Sequence, residues 1–155
     1  MTIEISATPE RHLAVAHAHA NSYDEISGVI TPMYPALAEA LQAAGAATRM
    51  PAIAYYEDVA DGVEIHAAFS VDPGTADGAG FDVVVLPAEE NVASLVHHGE
   101  MADIRSSWEA LFDAIAREGW RPIGPTREVY LVSQPLPQSE WVTRLEIPVA
   151  RTNDG

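Results

Sequence analysis

Residues 119–132 read GWRPIGPTREVYLV, and residues 45–56 read GAATRMPAIAYY. Laid over one another at a shift of 74 residues, Gly119 meets Gly45, Pro125 meets Pro51 and Tyr130 meets Tyr56. Upstream at the same shift Trp108 meets Tyr34, Leu111 meets Leu37 and Ile115 meets Leu41. Earlier still the shift becomes 78, placing Ile104 on Ile26 and His97 on His19. Self-similarity at a fixed offset signals a duplicated supersecondary unit. The shared plan is strand, helix, Gly…Pro turn, strand, turn, strand.

This plan predicts one α+β domain over residues 1–155, built from two β-α-β-β modules at about 1–73 and 80–150. In the first module we expect strands at 13–20, 52–57 and 63–71 and a helix at 35–44. In the second we expect strands at 81–88, 92–98, 128–133 and 142–149 and a helix at 104–118. Ile104, Trp108, Leu111, Phe112 and Ile115 recur at helical spacing and give the second helix one apolar stripe. Asp103 is placed to cap its start and Gly119 to end it. The linker VDPGTADGAG (71–80) is too short to separate the modules.

Side chains alternate along a strand, so Thr126, Glu128, Tyr130 and Val132 share one face and Arg127 points to the other. Glu128 thus stands among apolar and aromatic neighbours, where an ionised carboxylate is costly unless something pairs with it. At the 74-residue shift it falls on Ala54, so the strand itself has no need of an acid there. A cross-strand pairing with Arg144 is the structural way to satisfy it; a cationic ligand is the functional one. Tyr55, Tyr56, Phe69, Tyr34, Trp108, Tyr130 and Trp141 supply aromatic faces, which attract cations. Met33 and Met101 precede the two helices and adapt to irregular shapes. With Glu128 these residues describe an apolar, aromatic ligand site carrying one anion.

Charge restricts the partners. Eight basic residues, all arginine, stand against 23 acidic ones, a net charge of −15. Such a chain repels a phosphate backbone, so nucleic acid is not an expected partner. No apolar run is long enough to span a bilayer, and the N-terminus lacks the pattern of a signal peptide. With no cysteine, the expected location is cytoplasmic. His17 and His19 share a strand face, but two ligands without a third make no metal centre; no metal and no cofactor are expected.

The segments PAIAYYED (51–58), LPAEENVASLVHHGEMADI (86–104), WEALFDAI (108–115), GWRPIGPTREVYL (119–131) and WVTRLEIPV (141–149) closely resemble the GyrI-like effector-binding domains, which also occur in multidrug-sensing transcription activators. The resemblance covers nearly the whole chain. It implies a pseudo-symmetric pair of modules with a ligand cleft between them, and a strand glutamate, here Glu128, that faces bound cations. Glu100 and Met101 stand where family members often carry an aromatic. The chain starts almost directly on its first strand, which implies a standalone binder of hydrophobic, often cationic small molecules. Two alternatives accompany that reading. Some relatives hydrolyse strained cyclopropane-type electrophiles, for which Glu128 and Tyr130 would be the catalytic pair. The acidic surface would also suit a basic protein partner such as a topoisomerase.

Overall fold

The structure, a computed structural model, describes residues 3–152. The chain forms two compact units, one of residues 10–87 and one of residues 1–9 with 88–155. By its contacts the first strand belongs with the later part of the chain.

In the unit 10–87 the elements are β2 (Arg11–Ala20), a 3-10 turn (Tyr23–Glu25), α1 (Ile26–Ile30), α2 (Met33–Ala43), β3 (Arg49–Val59), β4 (Gly62–Ser70) and β5 (Asp82–Leu86); β1 (Glu4–Thr8) is the strand that lies in the other unit. The strands pair antiparallel in the order β5-β2-β4-β3. Leu37 and Leu41 of α2 are buried against Ala14, Val71 and Phe81. Spaced four apart, they put one stripe of α2 on the face of β2 that carries Ala14. The β3–β4 hairpin closes on Gly62, whose φ is +143° and where a Cβ would come within 2.1 Å of the Ala20 carbonyl oxygen. Only glycine fits there.

The second unit contains β1, β6 (Glu89–His98), a 3-10 turn (Met101–Asp103), α3 (Ile104–Arg117), β7 (Trp120–Pro122), β8 (Thr126–Val132) and β9 (Val142–Arg151). Its strands run β1-β6-β9-β8, again antiparallel, with β7 on the far end of β9. β1 stands to β6 as β5 stands to β2: Thr8 is opposite Glu89, and Arg11 is opposite Leu86. Pro9 and Pro87 punctuate the two places where the chain leaves one sheet segment for the next, consistent with the missing N–H of proline. Leu111 and Ile115 of α3 pack with Ala93, Leu95, Leu145, Ile147 and Val149, and Trp108 and Trp120 flank them.

The strands and both longer helices lie where periodicity places them, within a few residues. β1, β7 and α1 are additions. Gly119 ends α3 as expected, with φ +83° and its N–H on the Ala116 carbonyl. Asp103 occupies the N-cap position of α3 but its side chain makes no capping bond; its carbonyl accepts the Ser106 hydroxyl instead.

Tyr23, in the turn before α1, donates its hydroxyl to Asp58 of β3. Partial burial, and then the bond to Asp58, push its pKa up to about 12. A raised pKa favours the protonated folded form, so the stability it contributes is complete below the ordinary tyrosine value and fades as pH rises from there to about 12. Ultraviolet titration of phenolate formation should therefore show one late-ionising phenol that is missing from Tyr23→Phe. Asp58→Asn should move that phenol to lower pH, and an unchanged titration curve in both variants would refute the assignment.

Candidate functional site

β8 alternates as the sequence indicates, and its register fixes what each side chain meets. Glu128 is opposite Leu145 on β9, which is opposite Leu95 on β6; Tyr130 is opposite Thr143, which is opposite His97. These two rows share the face of the sheet on which α3 lies, since Leu95 and Leu145 pack with Leu111 and Ile115. Glu128 is 5% exposed, Thr143 is fully buried, and Tyr130 and His97 are nearly so. The Glu128–Leu145–Leu95 row is apolar except for its glutamate; the Tyr130–Thr143–His97 row is polar throughout.

Two aromatic donors reach the carboxylate. The Tyr130 hydroxyl donates to Oε1 at 2.9 Å and the Trp108 indole N–H donates to Oε2 at 3.1 Å. Burying a carboxylate costs several kcal/mol after relaxation, and a hydrogen bond to a charged group returns roughly 1.5–3 kcal/mol. Two such bonds are of the size needed to hold an ionised Glu128 in place, with the aromatic rims left facing it. Beyond Tyr130, the Trp141 ring lies edge-on at 6.4 Å and donates its own N–H to the Leu136 carbonyl at 2.8 Å. Met101 reaches the same corner, its sulfur accepting the Thr143 hydroxyl at 3.7 Å.

Arg144 is not the partner of Glu128. It sits opposite Val129, hence on the other face, where its guanidinium meets Glu146 at 3.3 Å and Glu4 at 3.5 Å. The one-residue offset is enough, because neighbouring positions on a strand point to opposite sides. Arg127 also faces that side, with Glu89 at 3.5 Å.

The other candidates belong to the unit 10–87. Tyr34 donates to the Ile53 carbonyl at 2.8 Å and meets Phe69 edge-to-face at 5.5 Å. Met33 opens α2 itself, instead of preceding it. Tyr55 and Tyr56 are both buried but point to opposite faces of β3. Tyr56 shares the α2 side with Ala52 and Ala54; Tyr55 is stacked on His66 on the reverse side, centroids 4.4 Å apart and planes within 5°. The row through Ala54, the residue that the 74-residue shift sets on Glu128, reads Ala54–Ala67–Ala16. Two open depressions, about 640 Å³ along the Ala110–Arg117 face of α3 and about 330 Å³ beside Val15 and His17, include neither Glu128 nor the aromatic candidates.

Sequence reasoning missed His97. Its Nε2 donates to the Glu100 carbonyl at 2.8 Å, and its Nδ1 shares a hydrogen bond with the Ser107 hydroxyl, also at 2.8 Å. This imidazole ties the end of β6 to the first turn of α3, one residue before Trp108. Its signal in the sequence was its position, since the repeat places it on His19, which is exposed. Among the described residues no helix is long and apolar enough to cross a membrane.

Comparison with known proteins supplies the context. No curated protein is similar enough to match. Among solved structures, the EcmrR C-terminal domain superposes with a TM-score of 0.79 at 16% identity, covering 97% of this chain and 98% of that one. SAV2435 bound to tetraphenylphosphonium gives 0.72 at 15% identity over 97% and 94% of the two chains. A hydrolase from Listeria innocua gives 0.62 at 14% identity over 96% and 91%. At such identities these likenesses concern the fold. The family model for the GyrI-like small molecule binding domain matches residues 1–150. The chain therefore belongs to the GyrI-like small molecule binding domains.

Proposed function

We propose that this domain binds hydrophobic cations, with Glu128 as the counter-ion and Tyr130, Trp108 and Trp141 as the aromatic surroundings. The observation that carries the reading is the buried Glu128 carboxylate held by two aromatic donors, Trp108 and Tyr130. A desolvated anion among aromatic rings favours a lipophilic cation over a hydrated one: ring faces supply cation–π attraction of about 2 kcal/mol or more per desolvated contact, and the ligand brings little hydration to lose. That the similarly folded SAV2435 is seen with tetraphenylphosphonium supports a ligand of this chemistry. Met101, whose sulfur accepts the Thr143 hydroxyl beside Tyr130, extends the proposed set of ligand-facing side chains.

Titration with tetraphenylphosphonium, followed by calorimetry of the parent protein and by the loss of indole fluorescence change in Trp108→Phe relative to the parent, tests it. Saturable 1:1 binding with a changed Trp108 signal is expected. No binding at millimolar ligand, or binding that leaves Trp108 and the Glu128 environment untouched, would exclude it. A second reading rests on the 2.9 Å Tyr130–Glu128 pair and the Listeria innocua hydrolase of similar fold. A carboxylate hydrogen-bonded to a phenol can hold a water for attack on a strained electrophilic ring. Turnover of cyclopropane-bearing electrophiles that Glu128→Gln abolishes would place the chain in that class.

A further inference from the structure

A second constellation lies within the unit 10–87, on the face of its sheet opposite to α2. The register sets His17 of β2 opposite His66 of β4, and His66 opposite Tyr55 of β3. The next row on the same face is His19, Glu64 and Glu57. Six residues from three strands thus form a two-by-three array of imidazole, carboxylate and phenol groups. The sequence shows only His17-Ala-His19; the third and fourth donors come from strands 40 and more residues away.

The distances suit a small cation. His66 Nε2 lies 3.1 Å from Glu57 Oε1. Two donors each about 2.1 Å from one ion stand roughly 3.0 Å apart at a right angle and roughly 3.4 Å apart in a tetrahedron. The His17 and His66 ring centroids are 6.2 Å apart. Imidazoles that share an ion span from about 4.5 Å when at right angles to about 6.4 Å when opposite, given metal–nitrogen bonds of about 2.0–2.1 Å. Tyr55, stacked flat on His66, fixes the plane of that ring, as supporting groups orient the ligands of metal sites. His17 is exposed and borders the open depression beside Val15 and Asp82, so an ion has access. The net charge of −15 raises the local concentration of cations.

We propose that His17 and His66, with Glu57 as the third donor, form a binding site for a first-row divalent transition-metal ion. Among the described residues no three such groups are already gathered around one point. Closing the site therefore takes a turn of the exposed His17 ring and transfer of the Glu57 carboxylate from its hydrogen bond to the ion. Two imidazoles and one carboxylate form a mixed nitrogen–oxygen set that suits Cu²⁺ first and Ni²⁺ and Zn²⁺ after it. His19, two residues along the same face with Glu64 at 3.8 Å, is the neighbouring donor.

The test is a Cu²⁺ titration of the full chain against glycine as competing chelator, with electron paramagnetic resonance of the bound ion. One equivalent should bind with two-nitrogen coordination. His17→Ala, a surface change that leaves packing intact, should weaken binding at least about tenfold and remove one nitrogen from the spectrum. His66→Gln, which keeps volume beside Tyr55, should do the same, and Glu57→Gln should cost less. His12→Ala and His98→Ala should bind as the parent does. Unchanged affinity in both His17→Ala and His66→Gln, or equal losses in His12→Ala or His98→Ala, would overturn the proposal.

Discussion

Glu128→Gln should weaken tetraphenylphosphonium binding by about 2–5 kcal/mol, the usual cost of truncating one side of a buried charge pair, while a neutral ligand of similar shape such as triphenylphosphine oxide loses less than about 1 kcal/mol. Glutamine keeps the volume of the side chain, and its carbonyl still accepts from Tyr130 or Trp108. What disappears is charge. Ring stacking and apolar contact remain for both ligands, so the difference between the two losses isolates the electrostatic part. Calorimetric titration of both ligands into both proteins gives the four numbers of the cycle. Equal losses for cation and neutral ligand, or none for either, would make Glu128 a structural carboxylate, satisfied by its two aromatic donors and facing no ligand.

Trp108→Phe sharpens the same point from the other side. It keeps an aromatic on the α3 stripe but removes the N–H that Glu128 accepts at 3.1 Å. With one donor fewer, the carboxylate has more to gain from a cation. The expected result is lower stability of the free domain with cation affinity kept or raised.

Much of this arrangement was legible because it rests on short-range periodicity. The stripe of Ile104, Trp108, Leu111 and Ile115 announces α3, and the Gly…Pro punctuation announces the hairpins. The alternation of β8 puts Glu128 and Tyr130 together two residues apart. What failed to show was register. Pairing Glu128 with Arg144 is chemically sensible and wrong by one residue, because Glu128 is opposite Leu145. β1 is only five residues long, and its partner β6 begins about 80 residues later, so no local pattern reveals the pairing. The His17–His66–Tyr55 row is hidden for the same reason: each strand shows one member, and only the ladder aligns them. His97 was invisible as a site residue because a histidine bonded at both nitrogens looks, in sequence, like any other.

The largest stability effect is expected at Glu146, which is 1% exposed on the reverse face of β9. Arg127 of β8 is its direct cross-strand neighbour, and Arg144 two residues earlier on β9 reaches it at 3.3 Å. Arg127 is itself buried and also meets Glu89; Arg144 is about one-third exposed and also meets Glu4. The buried carboxylate therefore has one guanidinium at 3.3 Å and a second arginine directly opposite it on the neighbouring strand. Removing one member of such a group costs about 3–5 kcal/mol, because the remaining charges keep their desolvation penalty and lose their compensation. Glu146→Gln should accordingly destabilise the domain by roughly 3 kcal/mol. Arg144→Gln should cost less, since water already screens part of that side chain. The double variant should fall short of the sum, as removal of the second charge relieves the first. Urea unfolding of the four proteins measures this directly, with an unchanged slope confirming that the same surface unfolds. Additive losses, or a Glu146→Gln variant as stable as the parent, would show that the buried carboxylate draws nothing from its arginines.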